Sequence, residues 1–273
     1  MRNIKLTIAY DGTHYCGWQI QTSSKPHPDG HRPVIGQKLR TIQEEVESAL
    51  QKIFKKKIRV EGSGRTDAGA HAVAQVAHFK LDGPFDLEKL AKAVNAHLPQ
   101  DIFILSAQEA ARAFHARFSA RRKTYRYLII NCPERPLFVR QLSAWVRHPL
   151  DLVGMRSAAK YLVGRHDFRS FQASDRIERR SVTTIYKIGI KKTRQKSAIP
   201  FVNGLNLVVV DIEARGFLRN MVRNIVGTLI EAGRGRMAPQ DVKNILKKKD
   251  RRSAGPCVPA AGLYLMNVCY GRS

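Results

Sequence analysis

A single carboxylate set among glycines is the stretch of this sequence with the clearest chemical potential. Residues 61–72 read E-G-S-G-R-T-D-A-G-A-H-A. Asp67 stands among Gly62, Gly64 and Gly69, with Arg65 two residues before it and His71 four after. Glycine at this density marks backbone bent through conformations other residues avoid, or backbone pressed close to something else. A lone acid in such a loop, beside a guanidinium, is presented in one fixed pose. The alternative is a tight turn whose Asp and Thr satisfy local backbone groups. Shape alone does not choose between them.

Familiar phosphate and metal motifs do not fit. A dinucleotide fingerprint starting at Gly62 would need glycine where Asp67 stands, and a strand rather than a helix follows. A P-loop lacks its Gly-Lys-Ser/Thr, and a carboxylate would repel the phosphate it should cradle. Two-metal chemistry needs several clustered acids, and only Glu61 is near in sequence. His27 and His31 have a metal-compatible spacing for a helix, but Pro26, Pro28 and Gly30 break any helix there. No metal is expected.

Two further stretches carry chemical character. Residues 114–127, F-H-A-R-F-S-A-R-R-K-T-Y-R-Y, interleave flat rings with cations. Rings for bases beside cations for phosphates suit single-stranded nucleic acid; the alternative is a strand with tyrosines packed inward and arginines in water. The stretch Phe217–Ala232 carries Arg219 and Arg223 one helical turn apart among Met221, Val222, Ile225, Val226, Leu229 and Ile230. So apolar a helix is largely buried, and a buried guanidinium needs an acid. Asp67 is one candidate, which would keep that carboxylate ionised and oriented; Asp211 and Glu213 on the preceding strand are the others.

The elements that would position these residues follow a repeated order. Ile4, Leu6, Ile8 and Tyr10 alternate along a first strand. Thr41 with Glu44 is a capping box opening a helix, Ile58 and Val60 suggest a short strand, and Val73–Lys80 another. Asp86 caps a second helix, and Ile102–Ala107 forms a strand. The second part repeats the pattern: a strand over Lys123–Asn131, a helix over Asp151–Val163, and a strand over Val182–Lys191 with Val182, Thr184, Tyr186, Ile188 and Ile190 on one face. A strand over Leu205–Ala214, the helix at Phe217, an extra helix over Pro239–Lys249 and a strand over Leu263–Tyr270 complete it. Each half reads β-α-β-β-α-β, the ferredoxin-like unit. The fold class is α+β: two such halves, residues 1–107 and 108–273, joined into one mostly antiparallel sheet with helices on one face. Open sheets of this kind bind RNA in other modules.

Charge separates the halves. The 273 residues hold 48 Lys and Arg against 22 Asp and Glu, a net charge of +26. Residues 1–107 carry 15 basic and 11 acidic side chains, and residues 108–273 carry 33 and 11. A polyanion relieves such repulsion, and the second half is expected to make most of the phosphate contacts. There is no apolar run long enough to span a bilayer, so no membrane partner is expected. Cys16, Cys132, Cys257 and Cys269 are scattered without a C-x-x-C pair, so neither structural zinc nor disulfides are expected. A strand begins at the N-terminus where a signal peptide would need an apolar core; the expectation is a cytoplasmic protein.

The motifs taken together resemble one family. G-R-T-D-A-G-A-H-A at 64–72, K-T-Y-R-Y at 123–127, H-D-F-R-S-F at 166–171, M-V-R-N-I-V-G at 221–227, G-L-Y-L at 262–265 and A-Y-D-G-T-x-Y-x-G-W-Q at 9–19 are similar to those of tRNA pseudouridine synthase A. The resemblance covers essentially the whole chain. It implies isomerisation of uridine to pseudouridine at nucleotides 38–40 of the tRNA anticodon stem-loop, by a homodimer with no cofactor. It also implies that Asp67 initiates cleavage of the glycosidic bond, that Tyr125 is an active-site residue that stacks on the target base and can assist proton transfer, and that Arg223 ion-pairs with the aspartate. Arg65 would take the place of the flipped base and Leu263 would wall the pocket. Flipping itself is a physical requirement, since ring atoms inside a stacked helix are out of reach. The sequence departs from the family pattern at Ala70, usually valine, and in the longer loop Thr22–Gln37. The competing class is an RNA-binding module without catalysis, in which the glycine loop only clamps backbone.

Overall fold

Strand β1 (Arg2–Tyr10) shows the alternation plainly: Ile4, Leu6 and Ile8 are fully buried and Tyr10 nearly so, while the residues between them are partly exposed. The computed structural model describes residues 1–20, 40–173, 181–194 and 204–271. Loop Thr22–Gln37, with His27 and His31, lies outside them.

Helix α1 (Ile42–Phe54) begins where Thr41 Oγ1 accepts the Glu44 N–H at 3.3 Å, satisfying one of the first-turn donors. It buries Ile42, Val46, Ala49 and Leu50. The expected strand over Ile58–Val60 is absent; β2 is the pair Glu61–Gly62 that follows. Side chains of α1 are the reason. Glu47 accepts the Val60 N–H at 2.9 Å and Gln43 donates to the Val60 carbonyl at 3.1 Å. With both polar groups satisfied from the helix, that residue needs no strand partner. Strand β3 (His71–Leu81), helix α2 (Leu87–Asn95, capped by Asp86) and strand β4 (Ile102–Ala110) complete the first β-α-β-β-α-β series. Strand β1 lies between β3 and β4, antiparallel to both.

The second series starts with β5 (Arg122–Asn131), whose Tyr125, Tyr127 and Ile129 are buried as expected. A short β6 (Ala144–Val146) pairs parallel to β5. Helix α3 (Leu152–Lys160) is capped by Asp151, which accepts from Val153 and Gly154. Strand β7 (Gly164–Asp167) was not legible in the sequence and pairs antiparallel with β8 (Val182–Arg194). Strand β9 (Asn206–Ala214) lies between β5 and β8. Along β8 the expected face breaks. Ile185 opposes Ala214 and Lys187 opposes Glu213, so Tyr186 is an extra residue in a bulge. A bulge changes which side chains face inward: Ile185 is buried, while Val182 and Tyr186 are exposed.

Helix α4 (Met221–Gly233) starts four residues later than predicted because Asn220, at φ 58°, takes the left-handed conformation that asparagine tolerates. Nearly every residue of it is buried. Each buried Ile, Val or Leu there contributes roughly 1.5–3 kcal/mol, so packing rather than helix propensity holds it. Helix α5 (Asp241–Lys248) and strand β10 (Leu263–Cys269) end the series. The chain is thus α+β, with ten strands in mostly antiparallel pairing and five helices among the described residues. It divides into one unit of Met1–Ala120 with Leu265–Ser273, and a second of Arg121–Tyr264. Within the first, the strand order is β4-β1-β3-β10; within the second it is β5-β9-β8-β7.

Gly227 sits in the middle of α4, and a Cβ built there would lie 1.8 Å from the Pro256 carbonyl oxygen. Alanine normally stabilises a helix interior over glycine by about 1 kcal/mol. Here Gly227→Ala must instead force backbone away from backbone, and should destabilise by about 1–3 kcal/mol. Thermal melting checks the sign: a variant as stable as the parent would refute this packing.

Candidate active site

The loop holding Asp67 is seated against the loop that follows β1, within the first unit. Residues 11–18 and 63–70 meet backbone to backbone. Trp18 N–H donates to the Thr66 carbonyl at 3.3 Å and Gly69 N–H to the Tyr15 carbonyl at 3.2 Å. The Ala70 N–H closes a turn onto the Asp67 carbonyl at 3.1 Å. Tyr10, at the end of β1, reaches the Thr66 hydroxyl at 2.8 Å from a buried position, and burial pushes its phenol well above the usual tyrosine range. On the other side of the loop, Gln75 of β3 donates to the Gly64 carbonyl at 3.0 Å.

Two glycines outside the loop make this approach possible. A Cβ on Gly17 would stand 2.4 Å from the Thr66 carbonyl oxygen, and its φ of +86° is itself unfavourable for other residues. One on Gly12 would stand 1.9 Å from the Ala70 carbonyl oxygen. The sequence signal existed, in the paired glycines of A-Y-D-G-T-x-Y-x-G-W-Q, but spacing does not say what a glycine is pressed against. Ala70 is buried in this contact.

His71 is buried and closes the loop's far end. Its Nδ1 lies 3.1 Å from the Gly12 N–H and 3.0 Å from Asp11 Oδ1. One nitrogen cannot accept from the first and donate to the second at once, so the ring's proton selects its partner. Burial raises the Asp11 carboxyl, but the Thr13 hydroxyl and N–H, together with His71 and His14, hold it below the usual range. Asp67 itself is half-buried and Arg65 is exposed.

The other candidates belong to the second unit. Tyr125 is 6% exposed on β5, its ring meeting Phe217 edge-on at 5.0 Å between centroids. Arg223, on the first turn of α4, is 4% exposed. Its Nε donates to the Val258 carbonyl at 2.7 Å, and Nη1 lies 3.5 Å from Asn220 Oδ1. The alternative acids on β9 are taken by other cations. Asp211 holds Arg126, directly opposite on β5, through two bonds of 2.7 and 2.9 Å. Glu213 accepts from Arg122 at 3.1 Å. Leu263 is buried at the start of β10, next to Gly262, whose own Cβ would meet the Tyr127 ring at 2.8 Å. Tyr127 in turn donates to the Pro259 carbonyl at 2.7 Å.

Some motif residues prove to be structural. Phe168 and Phe171 of H-D-F-R-S-F are fully buried, and Ser170 donates to the Ile245 carbonyl on α5 at 2.6 Å. Asn224 of α4 donates to the Phe171 carbonyl at 2.8 Å and accepts from Arg251 at 2.9 Å. These bonds fix α4, and so the place where Arg223 leaves it.

The seating of the Asp67 loop is open to test. Gly17→Ala adds both a clash and a disfavoured φ, and should lower stability by about 1–3 kcal/mol. Protection of the Trp18 and Gly69 amides from hydrogen exchange should fall with it. Unchanged exchange at both amides would mean that the two loops do not rest on each other.

Comparison with known proteins matches this arrangement to a family. A family model described as tRNA pseudouridine synthase matches residues 6–119 and 158–271. A curated relative, tRNA pseudouridine synthase A 2 of Clostridium perfringens, is 42% identical over 270 residues, spanning 99% of this chain and 100% of its own. The tRNA pseudouridine synthase A of Geobacillus kaustophilus is 43% identical over 271 residues, spanning 98% of this chain and 95% of its own. Likeness at this level and over this length shows that the chain belongs to the tRNA pseudouridine synthase family.

Proposed function

We propose that this protein isomerises uridine to pseudouridine in the anticodon stem-loop of tRNA, at nucleotides 38–40, with Asp67 as the residue that starts the reaction. One observation carries the proposal. The only acid of the G-R-T-D-A-G motif sits in a loop held on one side by the backbone of residues 11–18 and on the other by the Gln75 side chain, in a chain of that family. The relatives' names speak of tRNA, and a net charge of +26 suits a polyanionic substrate.

The chemistry asks little beyond positioning. The bond from ribose C1′ to N1 of uracil breaks, a bond from C1′ to C5 forms, the C5 proton leaves and N1 gains one. Nothing is oxidised or reduced, so no cofactor is required. A carboxylate held in one pose can open the sequence as a nucleophile. Tyr125 is proposed as the platform against the target base, Arg223 as the cation that keeps the acid ionised, Arg65 as the residue that fills the space left by the flipped base, and Leu263 as an apolar wall. Assembly as a homodimer and a cytoplasmic location belong to the same reading; sedimentation tests the first.

Asp67→Asn keeps the side chain's shape and removes its charge. It should lower pseudouridine formation by at least a thousandfold, on the order expected for a group acting on the reacting atoms, while tRNA binding survives. Carbodiimide-dependent primer-extension stops read the product. Wild-type protein that binds tRNA but leaves its uridines unchanged would instead favour a non-catalytic RNA-binding module. Tyr125→Phe retains the ring face and should keep more activity than Tyr125→Leu; equal losses would give the hydroxyl a chemical part. Affinity for tRNA should fall steeply with salt, and a flat dependence would argue against phosphate contacts altogether.

A further inference from the structure

At the start of the glycine stretch, Glu61 joins His78 and His115 in bringing ligating atoms within 4.8 Å of one another, a grouping that looks like a metal site. The protons argue otherwise. His115 Nδ1 accepts the backbone N–H groups of Arg117 at 3.1 Å and Phe118 at 3.3 Å. The neutral ring therefore carries its proton on Nε2, and that atom lies 3.0 Å from Glu61 Oε2. A metal needs a lone pair there, not a hydrogen-bond donor. The imidazole acts as a bracket, with a carboxylate at one end and the turn 115–118 at the other. The turn is closed again by the Ser119 N–H on the His115 carbonyl at 2.9 Å.

What the bracket holds is a ring in water. Phe118 is 77% exposed, yet its centroid is 4.3 Å from that of His115, and the His78 ring continues the series 4.7 Å beyond. The Arg117 guanidinium lies over the Phe118 ring, 5.7 Å from its centroid, and Arg117 is exposed, so it is free to swing to a phosphate when a base takes the ring face. Nothing about folding asks for a phenylalanine here, because a side chain this exposed buries little apolar area. A ring already held in place, with a guanidinium at its face, is what an unstacked nucleobase and its phosphate require.

We propose that Phe118 is a stacking platform for an unpaired base of the RNA substrate, with Arg117 beside it for the phosphate backbone. The proposal rests on the reading of this chain as an RNA-modifying enzyme, and it concerns substrate binding rather than the chemical step.

The test compares wild type with Phe118→Ala, Phe118→Leu and Phe118→Trp on an unmodified tRNA transcript, measuring equilibrium binding and pseudouridine kinetics. Alanine and leucine should raise Kd and KM by roughly tenfold, as loss of one stacked base does, with kcat little changed. Tryptophan should restore both, which a defect of folding would not allow. Alanine variants that bind and turn over like wild type would overturn the platform, as would leucine performing as well as tryptophan. If wild type converts no uridine while the Phe118 variants still weaken RNA binding, the proposed activity fails and the platform stands.

Discussion

Two backbones meet at the heart of the first unit with no room for a side chain between them. The Thr66–Ala70 turn rests on the segment from Gly12 to Trp18, and Gly12 and Gly17 each stand where a Cβ would strike a carbonyl of the other loop. Everything proposed for Asp67 depends on this contact. A carboxylate can act at one atom of a substrate only if the chain that carries it does not move, and loops this rich in glycine are otherwise the most mobile part of a protein. The contact in turn depends on β1 and β3 being neighbours in register, since Tyr10 must end its strand under Thr66.

Helix α4 plays the corresponding part in the second unit by different means. Here the fixed object is a cation rather than an acid, and the holding groups are side chains. Asn224, Thr228 and Ser170 satisfy buried carbonyls and amides around it, so that an almost wholly buried helix carries polar residues without leaving them unpaired. Burying a guanidinium is costly unless its donors find partners, and Arg223 finds one in the Val258 carbonyl. The same economy governs β5 and β9, where Arg126 and Asp211 face each other directly and neutralise one of the few acids of the basic half.

Among the described residues nearly all arginines and lysines are at least partly exposed, and so are several aromatic and apolar side chains. Phe118 differs from the others in being braced by a histidine whose every ring nitrogen is engaged. Rigid rings next to arginines lose little entropy on binding a base, which favours contacts tolerant of sequence and dependent on shape.

Local rules determined much of this protein. The alternation in β1 and β5, the caps Thr41 and Asp86, and the apolar density of α4 each follow from residues adjacent in sequence, and the duplicated β-α-β-β-α-β order follows from them. The motif around Asp67 was equally legible, and its resemblance to a family carried the functional reading. Tertiary structure decided whatever depends on a distant partner. Val60 forms no strand because α1 reaches its backbone first. Tyr186 bulges and reverses the face of β8 because Ile185 and Lys187 take successive partners on β9. Asp211 goes to Arg126 because strand register sets them opposite, and Glu213, opposite Thr124, is reached by Arg122 two residues along β5. Gly12 and Gly17 matter because of what lies against them, and no spacing along a chain records which surface a missing side chain makes room for.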